Sequence, residues 1–404
     1  MKRSPSVVVT IVALLCGAAL LAPGAQAVAP GNAAFGHSHR VCDTPAAGDA
    51  ACHALVVDDA RTGAPLATKL QTAGYGPQQL AAAYGGAYGN GALTIAIVDA
   101  YANPNAASDL AAYRANFGLP ALLAGQFTQY SQSGGSISSV RGNTGWGQEE
   151  MLDLEMASAV CPNCKLVYVG AKSASFTDLS AAVTLASSVA QVISNSYGAA
   201  EFSSEGSVTA WDKAAASGDV VTVSSGDSGY GAQFPAASKN VIAVGGTKLT
   251  FANGARVETA WSGAGSGCSA YIARPAWESS TVSGCANRAI ADVSAVADPT
   301  TGVAVYDSYG SKQGLNWYVF GGTSVAAPII AAVFARGAAP ASQELMVQRL
   351  YTNRSGLYDV IGGSNATCTA GATVCSVPTQ LWNAVAGWDG PTGNGSPANS
   401  SLPF

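Results

Sequence analysis

Thr94–Ala100 reads TIAIVDA, an almost unbroken apolar run that ends at Asp99. A run of this length suits a strand buried on both faces. Further runs of the same kind follow at Lys165–Ala171 (KLVYVGA), Val192–Tyr197 (VISNSY), Val220–Ser225 (VVTVSS) and Val241–Val244 (VIAV). Helical patterns fall between or after them, at 107–117, 148–159, 178–189, 204–217 and 323–336. The alternation predicts an α/β fold with a mainly parallel central sheet flanked by helices. In such sheets, sites lie beyond the carboxyl ends of the strands. Asp99 and Asp227 both occupy such ends.

The chain has 404 residues, of which 48% are hydrophobic and only 11% charged. An average soluble protein carries roughly 25% charged residues. Low charge limits self-repulsion when carboxylates protonate, which suits an acidic medium. Residues 1–27 have the pattern of a secretory signal. Lys2 and Arg3 precede a short apolar run, and Ala25-Gln26-Ala27 offers a small-residue cleavage site. An uncleaved N-terminal anchor is the alternative, though the run is short for a span. Cleavage would make the acidic chain more negative by two charges, which argues against nucleic acid or an anionic membrane as partner. Removing Cys16 leaves eight of the nine cysteines, in four local couples: Cys42 and Cys52, Cys161 and Cys164, Cys268 and Cys285, Cys368 and Cys375. An even count in a secreted chain reads as disulfides, and local pairing is one of 105 connectivities. The CPNC couple lacks a second CxxC or a downstream His to complete a zinc site.

Residues 28–65 are rich in Ala, Gly and Pro and carry all three histidines, His37, His39 and His53. They read as a leader or loosely attached arm, followed by one catalytic domain over 66–404. The run GGTSVAAP, residues 321–328, places Ser324 at the start of a helix of small residues. The positive end of a helix favours a developing anion there. An ordinary N-cap is the plainer alternative. A serine nucleophile needs a base, and the histidines lie in the segment that looks least like core. The segment GQEEMLDLEMA (147–157) supplies carboxylates instead. Glu149 and Asp153 are i and i+4, on one helix face. Two such carboxyls sharing a proton titrate as a unit. Acids gathered at a helix start would account for Glu149 and Glu150 equally well. SSGDSG (224–229) suggests a chymotrypsin-like site with Ser228 and His53. The following YGAQ and the α/β alternation contradict it, leaving Asp227 as a turn residue or a site residue.

Together these runs resemble the sedolisin family of serine-carboxyl peptidases, from about residue 70 to the C-terminus. The resemblance implies a subtilisin-like fold and a Ser-Glu-Asp triad. It assigns the nucleophile to Ser324, the general base to Glu149, the residue orienting it to Asp153, and an oxyanion-hole donor to Asp227. It places Asp99 beside the triad, where a buried structural aspartate is an equal alternative. Ser194, Asn195, Ser196, Tyr197 and Gly198 resemble the strand that binds substrate backbone by strand addition. One Ca2+ ion is implied near Asp359, Val360, Val385, Gly387 and Asp389. Carboxylates and backbone carbonyls suit such a cation, and two aspartates in loop turns are the alternative. Val385 stands where the family usually has glycine. The family's long folded prosegment has no counterpart in the short stretch before residue 66.

The expected protein is a secreted, monomeric endopeptidase acting on protein and peptide substrates. Neither nucleic acid nor, after signal cleavage, a membrane is an expected partner. A carboxylate base works near its own pKa, and an aspartate donates only when protonated. Activity should therefore fall toward neutral pH. A secreted pseudopeptidase or binding module on the same fold, and a His-dependent serine hydrolase, are the competing readings.

Overall fold

The computed structural model describes residues 1, 35–86, 93–279, 283–337, 345–369 and 372–398. Apart from Met1, the expected signal segment 1–27 lies outside them. Among the described residues, no helix is long and apolar enough to cross a membrane.

The strands are β1 (Phe35–Arg40), β2 (Ala51–Cys52), β3 (Leu55–Asp59), β4 (Thr94–Ala100), β5 (Phe127–Ser131), β6 (Lys165–Ala171), β7 (Val192–Asn195) and β8 (Tyr197–Ala200). They continue with β9 (Val220–Ser224), β10 (Gln233–Phe234), β11 (Ile242–Ala252), β12 (Ala255–Ala260), β13 (Gly267–Ala273) and β14 (Asn287–Ile290). β15 (Val293–Val296), β16 (Val303–Tyr306) and β17 (Trp317–Gly321) complete the set used below. The helices are α1 (Pro77–Tyr84), α2 (Ala106–Asn116), α3 (Thr144–Val160), α4 (Phe176–Val189), α5 (Ala210–Ala216), α6 (Thr323–Ala335) and α7 (Met346–Thr352).

The main sheet runs β5-β6-β4-β7-β9-β11, all parallel, with β15 parallel and β12 antiparallel to β11. β4 lies between β6 and β7, and its period-two alternation feeds two cores. Ile95 and Ile97 join α3 and α6 on one face. Ala96, Val98 and Ala100 join α4 and Trp211 of α5 on the other. This explains why TIAIVDA is apolar at successive positions. α3 and α6 pack directly on each other, which brings the acid-rich helix against GGTSVAAP.

Three local readings change. The run Val192–Tyr197 is not one strand: the ladder breaks at Ser196, after which β8 leaves the main sheet to pair with β2 and β10. The helix expected over 204–217 shortens to α5, after a single 3-10 turn at Glu205–Ser207. Gly206 and β-branched Val208 and Thr209 are weak helix formers at that break. β11 runs far beyond Val244 because Asn253 and Gly254, both at positive φ, turn it back into β12.

The loosely attached arm is a correction. From residue 35 the chain is built into the fold through the sheet β1-β3-β17-β16. Val56 and Val57 are buried, and β3 pairs with the strand that leads into α6, Val56 opposite Phe320. The apolar run Ala54–Val57 needs that cover, and composition alone hid it. All four local cysteine couples are disulfides.

Candidate active site

The turn between β17 and α6 requires Gly322, at φ 99°. A Cβ there would lie 1.9 Å from the His53 carbonyl oxygen. Ser324 follows in the first turn of α6, fully buried, and its Oγ donates to the Ser196 carbonyl at 3.3 Å.

α3 starts where the Asn143 side chain caps the Trp146 N–H at 3.0 Å. Its four acids are all buried, and they divide by face. Glu150 accepts from the Asn103 N–H at 2.6 Å and Glu155 from the Tyr306 N–H at 2.9 Å. Glu149 and Asp153 take the other direction. Asp153 accepts from Ser196 Oγ at 2.8 Å, so Ser196 touches both Asp153 and, through its carbonyl, Ser324. Among the described residues, neither Glu149 oxygen has a partner in full hydrogen-bond geometry. The donors that favour its charged form are Ser324 and the Ala54 N–H. Burial, then the nearby Asp99, pushes Glu149 and Asp153 well above the usual carboxylate range. Asp99 is buried with both carboxyl oxygens unpartnered among the described residues, and burial pushes it up to about 8.

Asp227 follows β9 and reaches α6. Its Oδ1 accepts from the Thr323 N–H and Oγ1, each at 2.8 Å. Oδ2 is shielded from solvent and has no hydrogen-bond partner among the described residues. Burial pushes Asp227 up to about 6, against the Thr323 N–H and the positive charge of Arg40. Asp227 thus keeps one oxygen free to donate when protonated.

His53 lies in the same region but is occupied elsewhere. Nε2 lies 2.9 Å from Gln233 Oε1 and Nδ1 2.7 Å from Ser224 Oγ. Gln233 Oε1 can only accept, so a neutral ring donates from Nε2 and accepts at Nδ1. Burial, helped by Arg40, pushes His53 down to about 3. Ser228 is exposed and accepts from Arg40 at 3.0 Å, which leaves no chymotrypsin-like pair with His53.

A family model described as the subtilase family matches residues 133–395. Over 246 residues the chain is 33% identical to sedolisin of Pseudomonas sp. (strain 101), covering 52% of this chain and 39% of that protein. Over 327 residues it is 32% identical to kumamolisin of Bacillus sp. (strain MN-32), covering 73% and 56%. The fold superposes on Pseudomonas sedolisin, a serine-carboxyl proteinase solved with two molecules of pseudo-iodotyrostatin. That match has a TM-score of 0.64 and 27% identity over 82% of this chain and 96% of that one. The chain belongs to the subtilase family, in its sedolisin branch. It spans about half the length of the curated relatives it matches. An S41 psychrophilic protease, at TM-score 0.50 and 20% identity over 77% and 93%, shares the fold alone.

In this sedolisin-branch chain the stretch 194–198 divides its work. The Asn195 side chain takes part in core bonds, accepting from Tyr197 at 2.8 Å and Trp211 at 3.1 Å. The backbone from Ser196 to Gly198 is paired with residues 51–53, Cys52 opposite Tyr197 and Ala51 opposite Gly198. Ser194 is buried with its hydroxyl unpartnered. The C-terminal residues also gather. Asp359 accepts from the Gly387 N–H at 3.0 Å, and Asp389 from the N–H groups of Thr392 at 2.9 Å and Val385 at 3.3 Å. Val360 is buried beside them in sequence. Burial pushes Asp389 up to about 8, with the charge of Asp359 adding to it. Among the described residues no three His, Cys, Asp or Glu side chains group to hold a metal. A cation here would rest on two carboxylates and backbone oxygens, a donor set that fits a hard ion.

Sequence reasoning missed His53 and Ala54, whose backbone N–H groups reach the Ser196 carbonyl and Glu149. It also missed Arg40, whose charge bears on Asp227. The short apolar run ACHALVV (51–57) was the available signal.

Proposed function

We propose that this chain is a secreted serine-carboxyl endopeptidase acting on protein and peptide substrates in acid, through Ser324, Glu149, Asp153 and Asp227. One observation carries the reading: Ser324 opens α6 against a buried carboxyl group of Glu149, Asp153 and Asp99, while His53 is bound elsewhere.

Ser324 Oγ attacks the substrate carbonyl and Glu149 takes its proton. Asp153 and Asp99 share charge with Glu149, so the group as a whole holds protons that a lone carboxyl would lose. The developing oxyanion receives hydrogen bonds from protonated Asp227 and from the Ser324 N–H in the first turn of α6. Glu149 then protonates the leaving nitrogen. Below about pH 6 Asp227 carries its proton, and above it the donor is lost. The need for a protonated Asp227 favours acid.

The direct test is Ser324→Ala on casein at about pH 4, expected to lose at least ~10³-fold in rate. Unchanged activity would eliminate this nucleophile. Asp359 and Asp389, with carbonyl oxygens of Val360, Val385 and Gly387, are proposed to hold one Ca2+. When bound, the ion neutralises two facing carboxylates and ties the 357–359 and 385–392 segments together. Chelation should lower the thermal midpoint by several degrees, about what a site held at 100 times its Kd contributes. No shift on chelation would contradict the site.

A further inference from the structure

Asp227 can serve an oxyanion only if its proton sits on the right oxygen. A carboxylic acid has one such hydrogen, and either oxygen can carry it. In this site the two oxygens differ. Oδ1 meets two donors of one residue, the N–H and the hydroxyl of Thr323, each at 2.8 Å. That hydroxyl has a single hydrogen, and a third bond settles its direction: the Gly226 N–H donates to Thr323 Oγ1 at 3.2 Å. Oγ1 therefore accepts from Gly226 and gives its hydrogen to Asp227. Oδ2 has no hydrogen-bond partner among the described residues. It faces the turn just before Ser324, since a Cβ on Gly322 would lie 2.8 Å from it. The Gly226 residue that orients the hydroxyl is itself pinned, its carbonyl accepting from the Gly265 N–H at 2.7 Å. Thr323 is fully buried, so solvent does not reach the arrangement from its side.

We propose that Thr323 is a positioning residue for the oxyanion hole: its N–H and hydroxyl occupy Asp227 Oδ1 and so fix the carboxyl proton on Oδ2. The inference rests on the peptidase reading above. A hydrogen on Oδ1 would point into two donors, a repulsive arrangement in a buried site. On Oδ2 it points toward the turn where the oxyanion develops. Thr323 acts through Asp227 and not on the oxyanion itself, because its one hydroxyl hydrogen is committed to Oδ1. The same two bonds also favour the ionised carboxylate, so they oppose the burial that raises Asp227 to about 6. Two other charged groups bear on Asp227, Arg40 and Glu149, and neither bonds to Thr323 Oγ1. Loss of the hydroxyl should therefore have two opposite effects. The proton is no longer confined to Oδ2, so the hole donates less. The proton is also retained to a higher pH. A threonine that only filled space would not produce the second effect.

The test measures kcat and KM of the full chain on a soluble peptide between about pH 3 and about pH 8, for the unaltered protein, Thr323→Val and Thr323→Ser. In Thr323→Val, kcat in acid should fall about tenfold, less than the about 10²-fold expected when an oxyanion donor is removed outright. KM should stay within about twofold. The alkaline limb, where kcat falls as Asp227 loses its proton, should move up by about one pH unit. Thr323→Ser keeps the hydroxyl and should restore both the rate and the limb. Thermal midpoints check that each variant folds, and Thr323→Ala removes the same hydroxyl if the valine variant does not. A limb that stays in place or moves down without the hydroxyl would overturn the inference, whatever happens to kcat. So would a serine variant whose limb departs from that of the unaltered protein. Either result leaves the peptidase reading standing, because the unaltered chain is active in the same assay. If the unaltered chain does not cleave, both readings fall.

Discussion

Two sets of buried acids behave differently in this fold. Asp292 and Glu278 flank Arg288, with Asp292 at 2.5 Å and Glu278 at 3.4 Å, and Glu258 meets Arg256 at 2.5 Å. Asp99, Glu149, Glu150, Asp153 and Glu155 are equally buried, yet none forms an ion pair among the described residues. A buried charge without a partner is costly, so such a carboxyl takes up a proton instead. In the first set a guanidinium meets each carboxyl. The second set has no cation and is raised by burial, and only its members Glu149, Asp153 and Asp99 gather at Ser324. The difference separates acids that fasten the fold from acids available for proton transfer.

The sharpest way to break this comparison is Arg288→Met. It leaves Asp292 and Glu278 buried without their cation, and should cost about 3–5 kcal/mol in denaturant unfolding at neutral pH. A loss within the ordinary surface range of about 0.5 kcal/mol would mean that guanidinium does not hold that set.

A smaller effect should appear in the unpaired set. Burial raises Asp99 to about 8, and moves Glu149, Glu150, Asp153 and Glu155 in the same direction. Each folded pKa lies above its unfolded value near 4. The folded chain therefore binds more protons than the unfolded one between about pH 4 and pH 8. Their contribution is complete below the unfolded pKa and is lost as pH rises through the folded one. Ser324→Ala, used to avoid self-digestion, should melt at a higher temperature at about pH 4.5 than at about pH 8. Asp99→Asn should flatten part of that slope. A midpoint that rises with pH over this window would contradict the proton-held set.

The same contrast explains what could be read from the sequence. β4 and β6 were legible to the residue because a strand buried on both faces is apolar at successive positions. The pairing of Glu149 with Asp153 was legible because helical spacing fixes which side chains share a face. That Glu150 and Glu155 would instead accept backbone N–H groups depends on Asn103 and Tyr306, which no local pattern places there. Residues 35–59 misled for the same reason. The cover that makes Val56 a core residue comes from Phe320, far along the chain. Asn253-Gly254 carried a usable turn signal, and it marks the hairpin that extends β11.

The central claim is that carboxyl groups, not a histidine, move the proton of Ser324. The most direct measurement is the pH dependence of peptide hydrolysis by the active chain. The account predicts a maximum near the carboxylate range, with the rate falling at least about tenfold by about pH 8. Full activity at about pH 8 with loss below about pH 5, the profile of a base near the histidine pKa, would contradict it.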